Sequence, residues 1–445
     1  MMFNSDEILK AAGAELVKNI SQSDDFDIST DTRTIKKGEL YLPLKGVSFD
    51  GEDFLDKAIE SGVAGCFITK DYFPENAMIV FKVKNTLETY LRLANFYRNK
   101  KNPIVVAVTG SSGKTTTKEM IYSVLSEHFK AHKTLSNHNN EIGFCQTVLS
   151  MPEDCEVLIV EMGMRGFGEI ELLSKYAEPD YAVITNTGSA HIGRLGSLDN
   201  IAKAKCEIVK YLKNDGVFIA QNNERIKKFA EFGGEKIYYS VDDVEVLERK
   251  PSYSKFVYKG KEYELNVEGD YNIENALSAI NLAYKLQMSY DEVKKGLALY
   301  KPIEKRWEVQ DIYGYKIIND SYNANPDSMK AAVSAFVQLY ENPVIVLGDM
   351  GELGDSEIEL HRQVGEYLSK VAPENCKILT VGHLAENIGI PLKENGYYVK
   401  NFKNNDETAE FILANINAGN TIFLKASRSM KFEEIIEKIK GECRV

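Results

Sequence analysis

The run Thr109-Gly110-Ser111-Ser112-Gly113-Lys114-Thr115-Thr116 carries the strongest chemical signal in the chain. It follows the apolar stretch Ile104 to Val108 and precedes a helical pattern whose apolar positions are Met120, Ile121, Val124 and Leu125. Glycines at 110 and 113 let the backbone curl so that successive N–H groups face phosphate oxygens, and the helix N-terminus adds positive potential. In such a loop Lys114 reaches the β- and γ-phosphates and the Thr115 hydroxyl holds Mg²⁺. The spacing is shorter than the general GxxxxGK[ST] pattern, but a strand before and a helix after supply the context that this motif requires. The loop predicts a nucleoside triphosphate site.

Three further residues could act beside bound phosphates. Glu161 and His191 each stand beyond a buried apolar strand, where a carboxylate can hold a cation and an imidazole can bind or orient one. Lys205 is unusual. The spacing predicts a helix over 197–212, capped by Ser197 or Asp199, and places Lys205 on one face with Ile201, Ala204, Ile208, Val209 and Leu212. A lysine there must snorkel, meet an anion, lose its charge or be chemically altered. Later in the chain, Asn319 to Ser328 has the polar composition of a strand-to-helix turn. Gly348 to Gly354 and Lys425 to Lys431 are two more polar loops after strands, the second with cations suited to carboxylates or phosphates.

These residues need a scaffold, and the chain is long enough for about three domains at roughly 150 residues each. Boundaries fall near 84, where the strand-like run Ala77 to Phe81 gives way to a helical pattern, and near 303, where Tyr300-Lys301-Pro302 follows a helical stretch. The residues 1–83, 84–302 and 303–445 are thus read as separate domains. Val157 to Val160, Tyr181 to Ile184, Val344 to Leu347, Lys377 to Val381 and Thr421 to Leu424 are apolar on both faces and alternate with helical segments. That predicts an α/β protein with parallel sheets covered by helices, and ligands at the carboxyl ends of the strands. The net charge of −12 argues against a protein that coats nucleic acid or an anionic membrane through its overall field. No secretory signal and no membrane-length apolar run is visible, so an intracellular, cytoplasmic location is expected. Six scattered cysteines without CxxC pairs predict reduced thiols, and metal chemistry of the hard-cation, oxygen-ligand kind.

Along nearly its whole length the chain resembles the Mur ligases, ATP-dependent amide ligases of peptidoglycan precursor synthesis. Thr109 to Thr117 is similar to the family's shortened phosphate loop, and Asn139-Asn140-Glu141-Ile142-Gly143 to its Asn-Asn-x-Ile-Gly segment. Glu161-Met162-Gly163, Gly168-Glu169-Ile170 and Thr185-Asn186 with His191 resemble its central metal and substrate region. Gly269 to Ala276 resembles its Asn-x-x-Asn-Ala nucleotide helix. Near the start, Thr30 to Arg33, Gly38 to Gly46 and Phe49-Asp50-Gly51 are similar to a UDP-sugar domain. The chain departs from the pattern at Tyr271, Lys305 and Cys145, where His, Gly and Pro are usual.

The resemblance implies a small α/β UDP-sugar domain, a central P-loop mononucleotide-binding domain and a C-terminal Rossmann-like domain that binds the incoming amine. It implies ATP and Mg²⁺ as cofactors. The nucleotide site is then Gly110, Ser111, Ser112, Gly113, Lys114, Thr115, Thr116, Asn272, Asn275, Arg306 and Asp320. Thr115, Glu161, His191 and Lys205 would be the metal set, with Lys205 carbamylated by CO₂, and Lys114, Glu161, His191, Lys205 and Arg306 would be catalytic. Substrate contacts would come from Thr32, Arg33, Lys45, Gly46, Asn139, Asn140, Asn323, Asn325, Ser427 and Arg428. The stretches after 319 are most similar to those of the member that joins D-alanyl-D-alanine to UDP-N-acetylmuramoyl-tripeptide through an acyl phosphate, and a monomer is expected. The rivals are the member that adds the third amino acid, which usually has Asp-Tyr-Ala-His-x-Pro-Asp where this chain has Asp320 to Asp327, and a non-ligase ATP-binding partner subunit. Folylpolyglutamate synthase shares the core but lacks the UDP-sugar segment.

Overall fold

A computed structural model describes residues 2–135, 138–303 and 305–442. The first sheet comprises β1 (Glu15–Asn19), β2 (Ile28–Ser29), β3 (Leu40–Tyr41), β4 (Gly65–Ile68) and β5 (Ile79–Lys82), in the order β1-β5-β4-β3-β2. Only β1 runs antiparallel to its neighbour. Helix α1 (Thr86–Lys101), capped by Asn85, leads out of this sheet. Its Tyr90, Leu93 and Ala94 join one continuous core that runs from Phe26, Phe67 and Phe81 to Val105 and Ala107 of the next sheet. The first two domains therefore share packing rather than a bare linker.

The central sheet contains β6 (Ile104–Thr109), β7 (Ala131–Lys133), β8 (Val157–Glu161), β9 (Tyr181–Ile184), β10 (Val217–Gln221) and β11 (Glu235–Tyr239). Its order is β11-β10-β9-β6-β8-β7 and all pairings are parallel. Alternation explains the apolar character of both faces. Val105 and Ala107 enter the core shared with the first domain, whereas Val106 and Val108 pack against helix α2 (Lys114–Leu125) through Met120, Ile121 and Val124. The chain reverses direction about β6, whose neighbours are β8 and β9, so the crevice at its carboxyl end is the topological switch point. Helices α3 (Glu141–Leu149), α4 (Glu169–Ala177) and α5 (Leu198–Cys206) connect these strands. An antiparallel sheet of β12 (Val244–Lys250), β13 (Tyr253–Tyr258) and β14 (Lys261–Leu265) follows, then helix α6 (Asp270–Lys285). Phe256, Tyr263 and Leu265 join the core that also buries Ile273, Leu277 and Ile280 of α6.

The third sheet has β15 (Glu308–Ile312) antiparallel to β16 (Tyr315–Asn319), then β17 (Pro343–Gly348), β18 (Lys377–Val381), β19 (Tyr398–Phe402) and β20 (Thr421–Lys425), in the order β15-β16-β20-β17-β18-β19. Helices α7 (Pro326–Leu339) and α8 (Glu357–Val371) lie on one face. Helix α7 has a capping box from Asn325 and Ser328, with Pro326 in its first turn.

The fold bears out the α/β reading and shortens one expected element. The helix over 197–212 ends at Cys206 and tightens into a 3-10 turn, Glu207–Val209. The Ser174 hydroxyl donates to the Ile208 carbonyl at 2.8 Å, and the buried Glu207 carboxylate accepts from the Gly168 and Glu171 N–H groups at 2.9 and 3.3 Å. These outside partners compete with helix continuation. The cysteines at 66, 145, 155, 206 and 376 are free and buried, as expected of small hydrophobes; Cys443 lies outside the described residues. Among the described residues no helix is long and apolar enough to cross a membrane.

The chain's single tryptophan, Trp307, packs on Phe423 with ring centroids 5.4 Å apart, and Phe423 stacks on Phe336 at 5.2 Å. Phe423→Ala is expected to destabilise the third domain by about 3–5 kcal/mol. Urea titration followed by Trp307 fluorescence checks this; an unmoved midpoint would show that the stack carries no stability.

Candidate active site

The phosphate loop is held from behind by the end of β9. The Ser111 N–H donates to the Asn186 carbonyl at 3.1 Å, and the Ser112 N–H to Asn186 Oδ1 at 2.9 Å. Thr185 Oγ1 and Asn186 Nδ2 both donate to the Ser112 carbonyl, at 2.6 and 3.1 Å. Two loop N–H groups are thus turned towards Asn186, not into the cleft, which differs from the expectation of a cradle of successive N–H groups. The unpaired first-turn N–H groups of α2 supply the positive potential. A Cβ at Gly110 would lie 1.8 Å from Thr185 Oγ1. Gly113, with φ +76°, would place one 2.5 Å from Asn275 Oδ1, so neither position accepts a side chain. Asn275 Oδ1 also accepts from the Thr117 hydroxyl at 3.1 Å, which ties α6 to the loop, and Asn272 Nδ2 donates to the Glu268 carbonyl at 2.7 Å. Lys114 Nζ donates to the Gly110 carbonyl at 2.8 Å, folded back over its own loop, and crowding by protein atoms lowers its pKa below the ordinary lysine value.

The third domain reaches this loop at several points. Arg306 Nη2 donates to Thr115 Oγ1 at 3.0 Å, and its guanidinium sits 4.0 Å from the centre of the Tyr322 ring. Its Nε is buried and has no hydrogen-bond partner among the described residues. Asn325 uses its Oδ1 to cap α7 and its Nδ2 to donate to Ser112 Oγ at 3.2 Å. Asp327 Oδ2 accepts from the N–H and Oγ of Ser189, at 2.6 and 2.7 Å. Asp320 is already paired, with Oδ2 2.5 Å from Lys425 Nζ and Oδ1 accepting from the Trp307 N–H. Lys425 also donates to the Asn323 carbonyl at 3.3 Å. Ser427 Oγ accepts from the Gly351 N–H at 2.7 Å, and Arg428 pairs with Glu433 at 3.0 Å.

Glu161 closes β8 with 3% of its surface exposed; its Oε1 accepts from Asn139 Nδ2 at 3.1 Å and its Oε2 has no hydrogen-bond partner among the described residues. The fully buried Lys118 places its ammonium 3.7 Å from that Oε2 and donates to the Thr134 carbonyl at 2.7 Å. His191 does not sit at a strand end. It is the left-handed residue, φ +66°, before the short helix Ile192–Leu195. Its Nδ1 lies 2.6 Å from Glu352 Oε2 without the alignment of a hydrogen bond. The nearby imidazole holds the Glu352 carboxyl below its ordinary pKa. Lys205 is 1% exposed; burial, with Lys114 nearby, pushes its pKa far below that of a solvated lysine. Among the described residues no three His, Cys, Asp or Glu side chains are grouped to hold a metal.

One cleft of about 1200 Å³ joins most of these groups. Residues 111–116, Asn139, Asn140, Glu161, His191, Asn272, Asn275, Arg306, Asp320, Asn323, Asn325, Ser427 and Arg428 all line it. Asn140 also caps α3. Gly110 and Lys205 are not among the lining residues, and Thr32, Arg33, Lys45 and Gly46 stand apart on the first domain, where Arg33 pairs with Asp31 at 2.6 Å. Sequence reading assigned no individual role to Lys118, Tyr322, Asp327 or Glu352, and took Lys425 only as one of the loop cations suited to carboxylates or phosphates. Lys118 follows Lys114 by one helical turn, beside apolar positions, the same anomaly that singled out Lys205. Of the three departures, Tyr271 packs 6.1 Å from Trp307, Lys305 pairs with Glu433 at 3.2 Å and Cys145 is a core residue.

A model of the Mur ligase middle domain matches residues 108–283, and one of the Mur ligase glutamate ligase domain matches residues 305–428. The chain belongs to the Mur ligase family. This Mur ligase is 37% identical to the UDP-N-acetylmuramoyl-tripeptide–D-alanyl-D-alanine ligase of Bacillus subtilis, over 96% of this chain and 97% of the relative. It is 31% identical to the ligase of the same name from Synechocystis sp., over 94% and 92% of the two chains. The crystal structure of MurF from Acinetobacter baumannii superposes with a TM-score of 0.90 at 28% identity, covering 99% of both chains. The three-domain α/β fold and ATP-dependent ligase chemistry expected from the sequence follow from this membership. Asp327→Ala leaves the Ser189 N–H and hydroxyl without their acceptor, a loss of about 1–3 kcal/mol to the closed domain arrangement. Small-angle scattering of this variant is expected to give a larger radius of gyration than the unaltered Mur ligase; equal radii would show that the pair does not hold the domains together.

Proposed function

We propose that this Mur ligase joins D-alanyl-D-alanine to the terminal carboxylate of UDP-N-acetylmuramoyl-tripeptide, converting ATP to ADP and phosphate in peptidoglycan precursor synthesis. The observation that carries the reading is the Arg306–Thr115 contact, which brings a cation from the third domain onto the phosphate loop of the second. The names of the relatives supply the substrate class.

In the proposed reaction a carboxylate oxygen of the tripeptide attacks the γ-phosphorus of ATP, the bond to the β-phosphate oxygen breaks and ADP leaves. Both reactants are anionic, so Lys114 and Arg306 lower the barrier by neutralising charge that builds in the transition state. The product is an acyl phosphate. The amine of D-alanyl-D-alanine attacks its carbonyl carbon, loses a proton, and phosphate departs as the amide forms. Water in the cleft would hydrolyse the acyl phosphate, and the domain contacts through Asn325 and Asp327 favour its exclusion. Gly113, Thr116, Asn272, Asn275 and Asp320 are assigned to the nucleotide. Asn139, Asn140 and Asn323 are assigned to the substrates, and Ser427 and Arg428 to the dipeptide side. Thr32, Arg33, Lys45 and Gly46 belong to the UDP-sugar.

The residues present fit a cation. Glu161 Oε2 and His191 Nδ1 are both buried on the wall of one cleft and, among the described residues, make no hydrogen bond; their charged neighbours are the Lys118 ammonium at 3.7 Å and the Glu352 carboxylate at 2.6 Å. Thr115, Glu161, His191 and Lys205 would hold Mg²⁺, which supplies charge neutralisation at the phosphates when bound. Lys205, buried and with no ion pair or hydrogen bond among the described residues, is suited to carbamylation: its neutral amine adds to CO₂, a proton leaves, and an ammonium is replaced by an anion. We assign a monomer, acting in the cytoplasm.

Phosphate release is expected only when both UDP-N-acetylmuramoyl-tripeptide and D-alanyl-D-alanine are present, and Lys114→Ala should abolish it. Equal ATP turnover with either substrate omitted overturns the assignment. Lys205→Ala is expected to lose most activity and to recover part of it with added formate or acetate; unchanged activity in this variant rules out the carbamate.

A further inference from the structure

His361 lies in the middle of α8, wholly buried, and outside every role assigned above. Both of its ring nitrogens are engaged. The Met350 backbone N–H points at Nε2 at 2.9 Å, and Nδ1 lies 2.6 Å from the Glu357 carbonyl. A backbone N–H can only donate and a carbonyl can only accept. Nε2 must therefore be the bare nitrogen and Nδ1 must carry the proton, so one neutral tautomer satisfies both contacts.

Met350 belongs to the loop from Gly348 to Gly354 that follows β17, and its neighbours carry the loop's other fixed points. The Asp349 carbonyl accepts from the Ser427 N–H at 3.1 Å, and its Oδ1 accepts from the Ala385 N–H at 2.7 Å. The Gly351 N–H donates to Ser427 Oγ at 2.7 Å. Two residues after Met350, Glu352 has φ +62°, places its carboxylate 2.6 Å from His191 Nδ1, and accepts through its carbonyl from the Gly193 N–H at 3.2 Å. Next to it, Gly354 packs so closely on Gly193 that a Cβ on Gly193 would lie 2.3 Å from the Gly354 nitrogen. The loop is a bridge. One side sets Ser427 and the other touches the central domain beside His191.

We propose that His361, as its neutral Nδ1–H tautomer, is a positioning residue for the amine-accepting half of the reaction. By fixing the Met350 N–H it sets the path of the loop, and through the loop both the Ser427 hydroxyl and the Glu352 contact to His191. His361 touches neither reactant. This rests on the assignment of Ser427 and the third domain to the incoming amine.

Kinetics on His361→Phe and His361→Gln test it. Phenylalanine fills the space but leaves the Met350 N–H without an acceptor. Glutamine offers an amide oxygen that accepts and an amide nitrogen that donates. His361→Phe is expected to raise KM for D-alanyl-D-alanine about tenfold and leave KM for ATP within about twofold. His361→Gln should return the dipeptide KM to within about threefold of the unaltered enzyme. Equal rises in both KM values, or no rise in either, overturn the proposal. If His361→Phe does not fold, nitrogen NMR of the unaltered protein labelled in its histidines decides: a buried imidazole in the neutral Nδ1–H form that His361→Gln removes supports the assignment, and an Nε2–H or imidazolium form overturns it. An unaltered enzyme that refuses D-alanyl-D-alanine but uses another amine overturns the substrate assignment alone, and the KM comparison is then made with that amine.

Discussion

A guanidinium carried across a domain boundary onto a phosphate loop is the contact on which this molecule's chemistry depends. Arg306 reaches Thr115 from the third domain, braced by the Tyr322 ring beneath it. Phosphoryl transfer between two anions needs positive charge at the place where negative charge builds. A chain with a net charge of −12 cannot supply that through its overall field. It supplies it locally, with Lys114 and the first turn of α2 from one domain and Arg306 from another. The site is complete only when the domains meet.

The rest of the architecture serves that meeting. The central sheet places the loop at its topological switch point, and Thr185 and Asn186 at the end of β9 brace it from behind. The third domain arrives through Asn325 on Ser112, Asp327 on Ser189, and the loop beyond β17 on Gly193. Each contact pairs a polar group of one domain with a polar group of the other. Such pairs exchange readily with water and are worth about 0.5–1.5 kcal/mol each, and the apolar part of the contact is small, Ile192 and Tyr271 of the central domain packing against the third domain's core. The first domain differs: through α1 it shares an apolar core with the central sheet, a seam that does not reopen at such small cost.

Buried lysines are the second theme. Lys118 and Lys205 are almost wholly out of water, and Lys114 is crowded enough to hold its proton less firmly than a solvated lysine. Lys118 is compensated by the Thr134 carbonyl and the nearby carboxylates of Glu119 and Glu161. Lys205 has no such partner among the described residues, and an uncompensated buried ammonium is costly. That contrast, between two lysines of nearly equal burial, is the physical ground for treating Lys205 as chemically altered and Lys118 as a fixed counter-charge.

Much of this was legible in the residues. The two-faced apolar strands, the strand-loop-helix context of Gly110 to Thr116, and Lys205 on an apolar helix face follow from periodicities of 2 and 3.6 and from the steric freedom of glycine, all local properties. What was not legible depends on direction and on distance in space. The loop motif and the family resemblance assigned Ser111 and Ser112 to the nucleotide, but Asn186, some 75 residues on, takes their N–H groups. Asp320 matched a nucleotide contact, yet Lys425 pairs with it across the sheet. Asp327 was read only as part of the polar turn from Asn319 to Ser328 and His361 not at all, until tertiary packing set one against Ser189 and the other under Met350. Sequence by itself determined which elements form and which side chains are chemically able, because both are fixed by neighbours a few residues away. Only the tertiary structure decided which of those side chains face each other, because a hydrogen bond depends on a few tenths of an ångström between atoms whose separation along the chain says nothing about their separation in space.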